Sequence, residues 1–278
     1  MRIPHSAEEE GLIEMAAENA AEMLAAHSNQ EKAIRERGER ALDELQSYLD
    51  LPAPPARIEC YDISNTQGAA QVGSMVVFED GSPQKSHYRR FNIRSVSGPD
   101  DYASMEEVIS RRFRRWRELK KGQGQPGYNP DPSFSTLPDL LLVDGGKGQL
   151  NRSLEVIEEF NLQDAFAVAG LAKRNEDVYL PGQSRPVRFE RDSAGLHLLQ
   201  RVRDEAHRFA ISSHRKRRSR KGLQSSLEKI PGVGPARRRA LLNKFHTVQN
   251  IRQASLEELA STPKIHTKLA QTIKEHLD

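Results

Sequence analysis

The sequence predicts an α/β chain in which a mixed sheet with flanking helices is followed by a small all-helical domain. Three observations predict it. Residues 57–94 alternate apolar and polar positions and are broken only by short turns. Residues 139–170 place two apolar runs on either side of a helical stretch. After Lys221 the period stays helical to the end. A length of 278 residues is enough for a sizeable core and favours two domains. The expected divisions are a helical segment over 1–55 that packs on or leads into the sheet domain, the sheet domain over 56–221, and the helical domain over 222–278.

Residues 10–26 carry Leu12, Met15, Ala16, Ala20 and Met23 at helical spacing, and 31–49 carry Ile34, Ala41, Leu42, Leu45 and Leu49. Each reads as an amphipathic helix with a packing or spacing role. Pro52, Pro54 and Pro55 end the second. Residues 57–64, 72–79 and 85–94 read as strands, with a turn at 66–68 before the second and Asp80-Gly81-Ser82-Pro83 after it. Such short connections imply an antiparallel meander. Residues 102–119 read as a helix capped by Asp100 or Asp101, and 122–138, rich in glycine and proline, as a long loop. A strand at 139–144, a helix at 147–160 and a strand at 166–170 follow, and strands joined through a helix run parallel. Three antiparallel strands followed by αβαβ is the element order of a ribonuclease H-like fold. A hairpin is expected at 178–189, then a helix from a Ser193 cap to about residue 214. Residues 223–278 repeat weakly at an offset of 32, with Pro231-Gly-Val-Gly-Pro235 against Pro263-Lys-Ile-His-Thr267, which predicts two similar helical hairpins.

Composition excludes several classes. One cysteine, Cys60, rules out an intrachain disulfide framework and fits a reducing, cytoplasmic setting. No apolar run approaches the roughly 18 residues that span a bilayer, so no membrane partner is expected. The acidic start of the chain has no signal-peptide pattern. Net charge is only +3, but basic residues cluster at 201–221 and again at Arg111, Arg112, Arg114, Arg115, Arg117, Lys120 and Lys121. Clusters of this kind suit a polyanion, or else form solvated helix faces.

Asp62 and Asp144 each stand near the end of an apolar strand. A carboxylate fills a core poorly but holds a cation well. Phosphodiester hydrolysis needs a cation to offset phosphate charge and supply hydroxide, and Mg²⁺ or Mn²⁺ takes one or two carboxylates, with water and substrate in the other positions. The bland alternative is that each Asp only caps a turn, as Asp-Gly often does. One of Asp100 and Asp101 is an N-cap, which leaves the other as a third site carboxylate. Glu59 alternates to the opposite face from Asp62 and is left out. Gly145-Gly-Lys-Gly148 lacks the spacing of a nucleotide-binding loop, yet Lys147 at the head of a helix is placed to meet a phosphate or to remain solvated. His207 falls at the edge of an apolar stripe through Leu199, Val202, Ala206 and Ala210; a lone histidine is more often structural than catalytic, but an edge position beside arginines suits a general base, a metal ligand or a phosphate contact. In Ile230-Pro-Gly-Val-Gly-Pro235, Gly232 and Gly234 permit a tight hairpin with backbone N–H groups open to a DNA phosphate, and Arg237 and Arg238 follow on the helix.

With these motifs in hand, the chain closely resembles the C-terminal half of the bacterial UvrC family, a subunit of the nucleotide excision repair nuclease. The resemblance rests on Arg57-Ile-Glu-Cys-Tyr-Asp-Ile-Ser64, Tyr88-Arg-Arg-Phe91, Asp100-Asp-Tyr-Ala103, Leu142-Val-Asp-Gly-Gly-Lys-Gly-Gln149, Asp204-Glu-Ala-His-Arg-Phe-Ala-Ile211 and the hairpin motif, and it covers nearly the whole chain. It implies a ribonuclease H-like endonuclease joined to a tandem helix–hairpin–helix domain that cuts the damaged strand 5′ to a lesion with divalent metal. It places the catalytic residues at Asp62, Asp101, Asp144 and His207, the third by the Asp-Asp-Tyr-Ala register. The implied partners are damaged duplex DNA and a UvrB–DNA complex. Lys264 and His266 stand where the family usually has glycine or a small residue, which leaves Lys264 to compensate electrostatically. Asn65 replaces a frequent histidine and is given no role. No GIY-YIG nuclease or separate UvrB-interacting segment is seen, so Met1 is expected to be an expression start within a longer protein. The competing readings are a non-catalytic DNA-binding module and an RNA-directed nuclease.

Overall fold

A computed structural model describes residues 7–64, 71–96, 98, 100–125, 127–173, 176–228 and 230–277, with the side chains of all of these except 7–10, 213–226 and 228. The expected turn at 66–68, Asn65 and the basic side chains of 215–221 lie outside the described residues. The chain divides into two compact units, Met1–Ala210 and Ile211–Asp278.

In the first unit, α1 (Ala7–Leu49) is one helix where the spacing predicts two. Nothing at 27–30 breaks it, and i,i+4 pairs His27–Glu31, Lys32–Glu36 and Arg35–Glu39 lie along the join. Residues 11–37 are exposed throughout, so the expected packing role belongs only to the last turns, where Ala41, Leu42, Leu45 and Leu49 are buried. There Gly38 crosses the Asp80-Gly81 turn so closely that a Cβ on Gly38 would stand 2.9 Å from the Asp80 carbonyl oxygen. Both turn residues have positive φ (49° and 72°), the requirement of a tight hairpin, and glycine meets it without strain at the second.

Strands β1 (Arg57–Ser64) and β2 (Val72–Glu79) pair antiparallel. The expected third strand at 85–94 is divided: β3 (Ser82–Pro83), a 3₁₀ turn at Lys85–His87 and β4 (Arg89–Asn92), both strands on β2. Pro83 cannot donate to a ladder, which confines β3 to an edge. Helix α2 (Asp101–Lys121) begins on Asp100, whose carboxylate accepts from the Tyr102 and Ala103 amides. The 122–138 loop contains one short helix, α3 (Pro132–Ser135). β5 (Leu140–Asp144), α4 (Lys147–Glu159) and β6 (Ala167–Ala172) form the parallel part, with β5 beside both β1 and β6. β7 (Asp177–Tyr179) closes the sheet antiparallel to β6, and the expected hairpin returns only through a single bridge from Val178 to Val187. The order is β3-β2-β1-β5-β6-β7, with β4 also on β2. This is a mixed ribonuclease H-like sheet.

The period of two assigns the sheet faces. Ile58, Cys60, Leu140 and Leu142 pack with the end of α1 and with Leu198, Leu199, Val202 and Ala206 of α5 (Ala194–Glu228). Tyr61, Met75, Val77, Leu141 and Val143 pack on the other face against α2 and α4. Ser193 caps α5 by accepting from the Leu196 amide, and it donates to Glu44 of α1. The helix runs on to Glu228 rather than ending near 214.

The second unit packs α6 (Pro235–Phe245), α7 (Val248–Gln253), α8 (Leu256–Ala260) and α9 (Thr267–Leu277) around Ile230, Val233, Leu241, Ile251, Leu259, Leu269 and Ile273. Helices α6 and α9 start 32 residues apart, at the predicted offset.

Candidate metal centre and nucleic-acid interface

Cys60 pairs with Leu142 and Tyr61 with Val143 across parallel β1 and β5. One further residue along, Asp62 and Asp144 come level on the same face of the sheet, the face covered by α5. That helix presents His207. One ligand atom from each of Asp62, Asp144 and His207 lies within 4.8 Å of the others, the one such group of three among the described residues. His207 Nδ1 stands 3.9 Å from Asp62 Oδ2, with half of the imidazole exposed. Two contacts hold α5 in place. Ser74 Oγ donates to the Ala206 carbonyl at 3.3 Å. Arg90 lies 4.0 Å over the Phe209 ring and donates to its carbonyl at 3.1 Å.

The two carboxylates differ. Ser64 Oγ donates to Asp62 Oδ2 at 2.9 Å. Asp144 has both oxygens buried with no hydrogen bond from the described residues. Lys173 Nζ stands 3.3 Å from Asp144 Oδ2 as an ion pair, outside hydrogen-bond geometry, and its ammonium is largely in solvent. Burial and the neighbouring Asp62 carboxylate raise the Asp144 pKa to about 6, while Lys173 opposes the rise. A desolvated carboxylate without donors is unfavourable unless a cation compensates it, and all-oxygen and imidazole donors suit Mg²⁺ or Mn²⁺. The residues therefore fit a divalent ion.

Asp101 stands in the first turn of α2 and accepts from Gln71 at 3.4 Å, but its carboxylate is not in the close group. Lys147 opens α4, where its ammonium donates to the Ser184 carbonyl at 2.5 Å and lies 5.2 Å from the centre of the Tyr179 ring. That holds it against the protein surface beside the glycine turn.

The basic cluster of α2 is not a uniform polyanion surface. Arg112 is fully buried and donates to both oxygens of Glu59 and to the Phe134 and Thr136 carbonyls. Arg57 joins the same carboxylate, and Tyr61 donates to it at 2.6 Å. These cations hold the Glu59 pKa low against the burial that would raise it. Arg111 pairs with Glu107. In the second cluster, Arg203 pairs with Glu176 and Arg208 with Glu205. Sequence reasoning missed the buried role of Arg112, although Met105, Val108, Ile109 and Phe113 form a buried stripe at helical spacing that includes it. It also missed Lys173, which no motif marks.

In the second unit Gly232 has φ +85°, and α6 starts at Gly234 with no side-chain cap. Pro235 has no N–H, and the amides that follow it in the first turn of α6 are open to an anion. Arg237 donates to the carbonyls of Gly232 and Lys264, so it ties the two hairpins together. Arg238 lies on the same helix, partly buried. Lys264 has φ +71°, and the Leu269 amide donates to Nδ1 of His266.

Residues 46–211 match the family description "UvrC RNAse H endonuclease domain", and residues 225–278 match "SAM-like Helix-hairpin-helix tandem". The chain is 50% identical over 266 residues to "UvrABC system protein C" of Dehalococcoides mccartyi, covering 96% of this chain and 42% of that protein. It is 45% identical to the protein of that name from Thermobifida fusca, covering 100% and 44% respectively. The chain thus spans less than half the length of these relatives. Against solved structures, human ENDOV aligns at 15% identity and a TM-score of 0.31, over 64% of this chain and 98% of that one, a likeness too distant to carry an argument.

Proposed function

The chain belongs to the UvrC family, and from that premise we propose that it is a metal-dependent DNA endonuclease of nucleotide excision repair, hydrolysing a phosphodiester of the damaged strand on the 5′ side of the lesion. The observation that carries the reading is the buried, unbonded carboxylate of Asp144 beside Asp62 and His207. Asp62 and Asp144 would hold Mg²⁺ or Mn²⁺, with His207 a third ligand or the base. Such an ion, when bound, would neutralise phosphate charge and lower the pKa of a water molecule. Ser64 fixes the rotation of the Asp62 carboxylate through its hydroxyl. A half-exposed imidazole beside that carboxylate is placed to accept a proton from an attacking water. Asp101 would act from the head of α2, beyond the close group.

The helix–hairpin–helix unit would grip duplex DNA through the backbone amides that follow Pro235 at the head of α6, with Arg238 and Lys264 adding charge and Arg237 bracing the two hairpins. Lys147 would meet a phosphate on release from Ser184. The partners would be damaged duplex DNA and a UvrB–DNA complex, in the cytoplasm. No helix of the described residues is long and apolar enough to cross a membrane.

The test is incision mapped on end-labelled damaged or nicked duplexes, with and without a UvrB–DNA complex, in Mg²⁺, Mn²⁺ or chelator. Metal-dependent cleavage 5′ to the lesion is expected. DNA binding without cleavage under any of these conditions would instead mark a non-catalytic binding module.

A further inference from the structure

Tyr102 is the one exposed aromatic ring among the described residues, at 52% of its full accessibility. Every other Phe, Tyr and Trp is at least half-buried. Its hydroxyl has no hydrogen-bond partner among the described residues. Leaving such a ring in water gives up apolar burial, so its position calls for a reason.

The position is specific. Tyr102 lies in the first turn of α2, next to Asp101. Asp101 contacts Gln71, and Ser104 of the same turn donates to Gln71. Gln71 directly precedes Val72, which pairs with Ser64 at the end of the strand that carries Asp62. On its other side the ring lies on Gly148, in the first turn of α4 and four residues after Asp144. A Cβ on Gly148 would stand 2.6 Å from Tyr102 Cε1, 2.9 Å from the phenol oxygen and 3.0 Å from Cζ. Gly148 has ordinary helical backbone, so the ring rather than the chain conformation needs glycine there. Two helix starts thus meet beside the C-terminal ends of the central strands β1 and β5, which deliver Asp62 and Asp144, and the aromatic ring is held at that meeting point.

We propose that Tyr102 is a stacking platform for a nucleobase adjoining the incised phosphodiester, and that Gly148 is bare so that the ring can lie there. This rests on the nuclease reading above. A phosphodiester at the carboxylates brings a nucleoside on each side of it, and stacking accepts any base because every base has a π face. That suits an enzyme that must cut beside lesions in any sequence. The free hydroxyl can also donate to a sugar or phosphate oxygen. A ring that merely docked α2 on α4 would bury itself more fully.

The test uses the full chain and a bubble duplex carrying 2-aminopurine, placed in turn at each position flanking the mapped incision. In the wild type one position is expected to lose fluorescence on binding. Tyr102→Ala should abolish that quenching and weaken binding by roughly 5- to 150-fold, the range for losing one stacked base. Tyr102→Phe should keep most of it. Gly148→Ala, which displaces the ring without altering it, should behave like Tyr102→Ala. All three variants should melt within a degree or two of the wild type. Equal quenching in the wild type and Tyr102→Ala, or wild-type incision with no quenched position, overturns the proposal and turns attention to a protein partner for the ring. Loss of stability in Tyr102→Ala with unchanged quenching marks a docking role only. Absence of any incision by the wild type in metal fails the nuclease reading instead and is distinguished by that product assay.

Discussion

Lys264 repeats the left-handed backbone of Gly232 at the equivalent point of the second hairpin, with φ +71° against +85°. The hairpin shape is therefore kept although the glycine is gone. What differs is the following helix start. The first has Gly234 and no side-chain cap, whereas the Leu269 amide of the second is already bonded to His266. Replacing Gly232 and Gly234 together should weaken binding to a bubble duplex and flatten its salt dependence, because a phosphate contact releases counterions. Replacing Lys264 and His266 together should do less. Equal losses across a salt series would show that both hairpins grip DNA alike.

Asp62→Asn and Asp144→Asn should each abolish incision and leave DNA binding largely intact. The amide keeps the size of the carboxylate and loses the charge that retains a cation. Calorimetric titration with Mn²⁺ should show the lost metal binding directly. Normal cleavage by both folded variants would remove the metal-site assignment.

The raised pKa of Asp144, about 6, predicts a pH-dependent stability of the metal-free protein. An unfolded aspartate titrates near about 3.9, so between these values the folded state binds more protons than the unfolded one. Stability from this group is full below about pH 4 and is lost as pH rises through about 6, by on the order of 1–3 kcal/mol. Asp144→Asn should remove that part of the slope, and Mn²⁺ should restore stability above pH 6. Melting curves of wild type and variant in chelator that stay parallel across this window would contradict the assignment.

His207→Ala should slow incision by roughly 10²–10⁴ if the imidazole moves a proton or orients the attacking water. With half of the ring in solvent, stability should shift by no more than about 0.5 kcal/mol. A fully active but destabilised variant would assign His207 to packing.

Arg112→Met should cost about 3–5 kcal/mol, because it leaves the Glu59 charge buried with part of its partners gone. Glu59 lies on the sheet face opposite Asp62, so Mn²⁺ affinity of the folded variant should be unchanged. Chemical denaturation and metal titration on the same sample separate the two effects.

Much of this was legible in one dimension. Alternation over 57–64 and the apolar run ending at Asp144 show two strands that deliver carboxylates, since a period of two and a following Gly-Gly turn are local properties of the chain. The offset of 32 residues likewise announces two hairpins. The long helix α1 reads as two in sequence because the apolar stripe weakens near 27–30, although nothing there breaks a helix.

Local pattern could not decide what distant segments do to one another. That Asp62 and Asp144 come level depends on the parallel register of β1 and β5, and that His207 meets them depends on α5 crossing that face. Arg112 resembles its basic neighbours in sequence, yet Glu59, 53 residues earlier, makes it a core residue. The contact of Tyr102 with Gly148 joins two helix starts that are separated in sequence by the length of α2, the loop that holds α3, and β5. Side-chain type and spacing set secondary structure within a few residues, so the sequence by itself determined most elements, their order and the residues with chemical potential, though not that α1 is continuous, where α5 ends or that the third strand divides. Register, burial and long-range charge pairing arise only when the sheet closes, so the tertiary structure alone decided which carboxylates face one another, which arginines remain in solvent and which aromatic ring stands open beside the site.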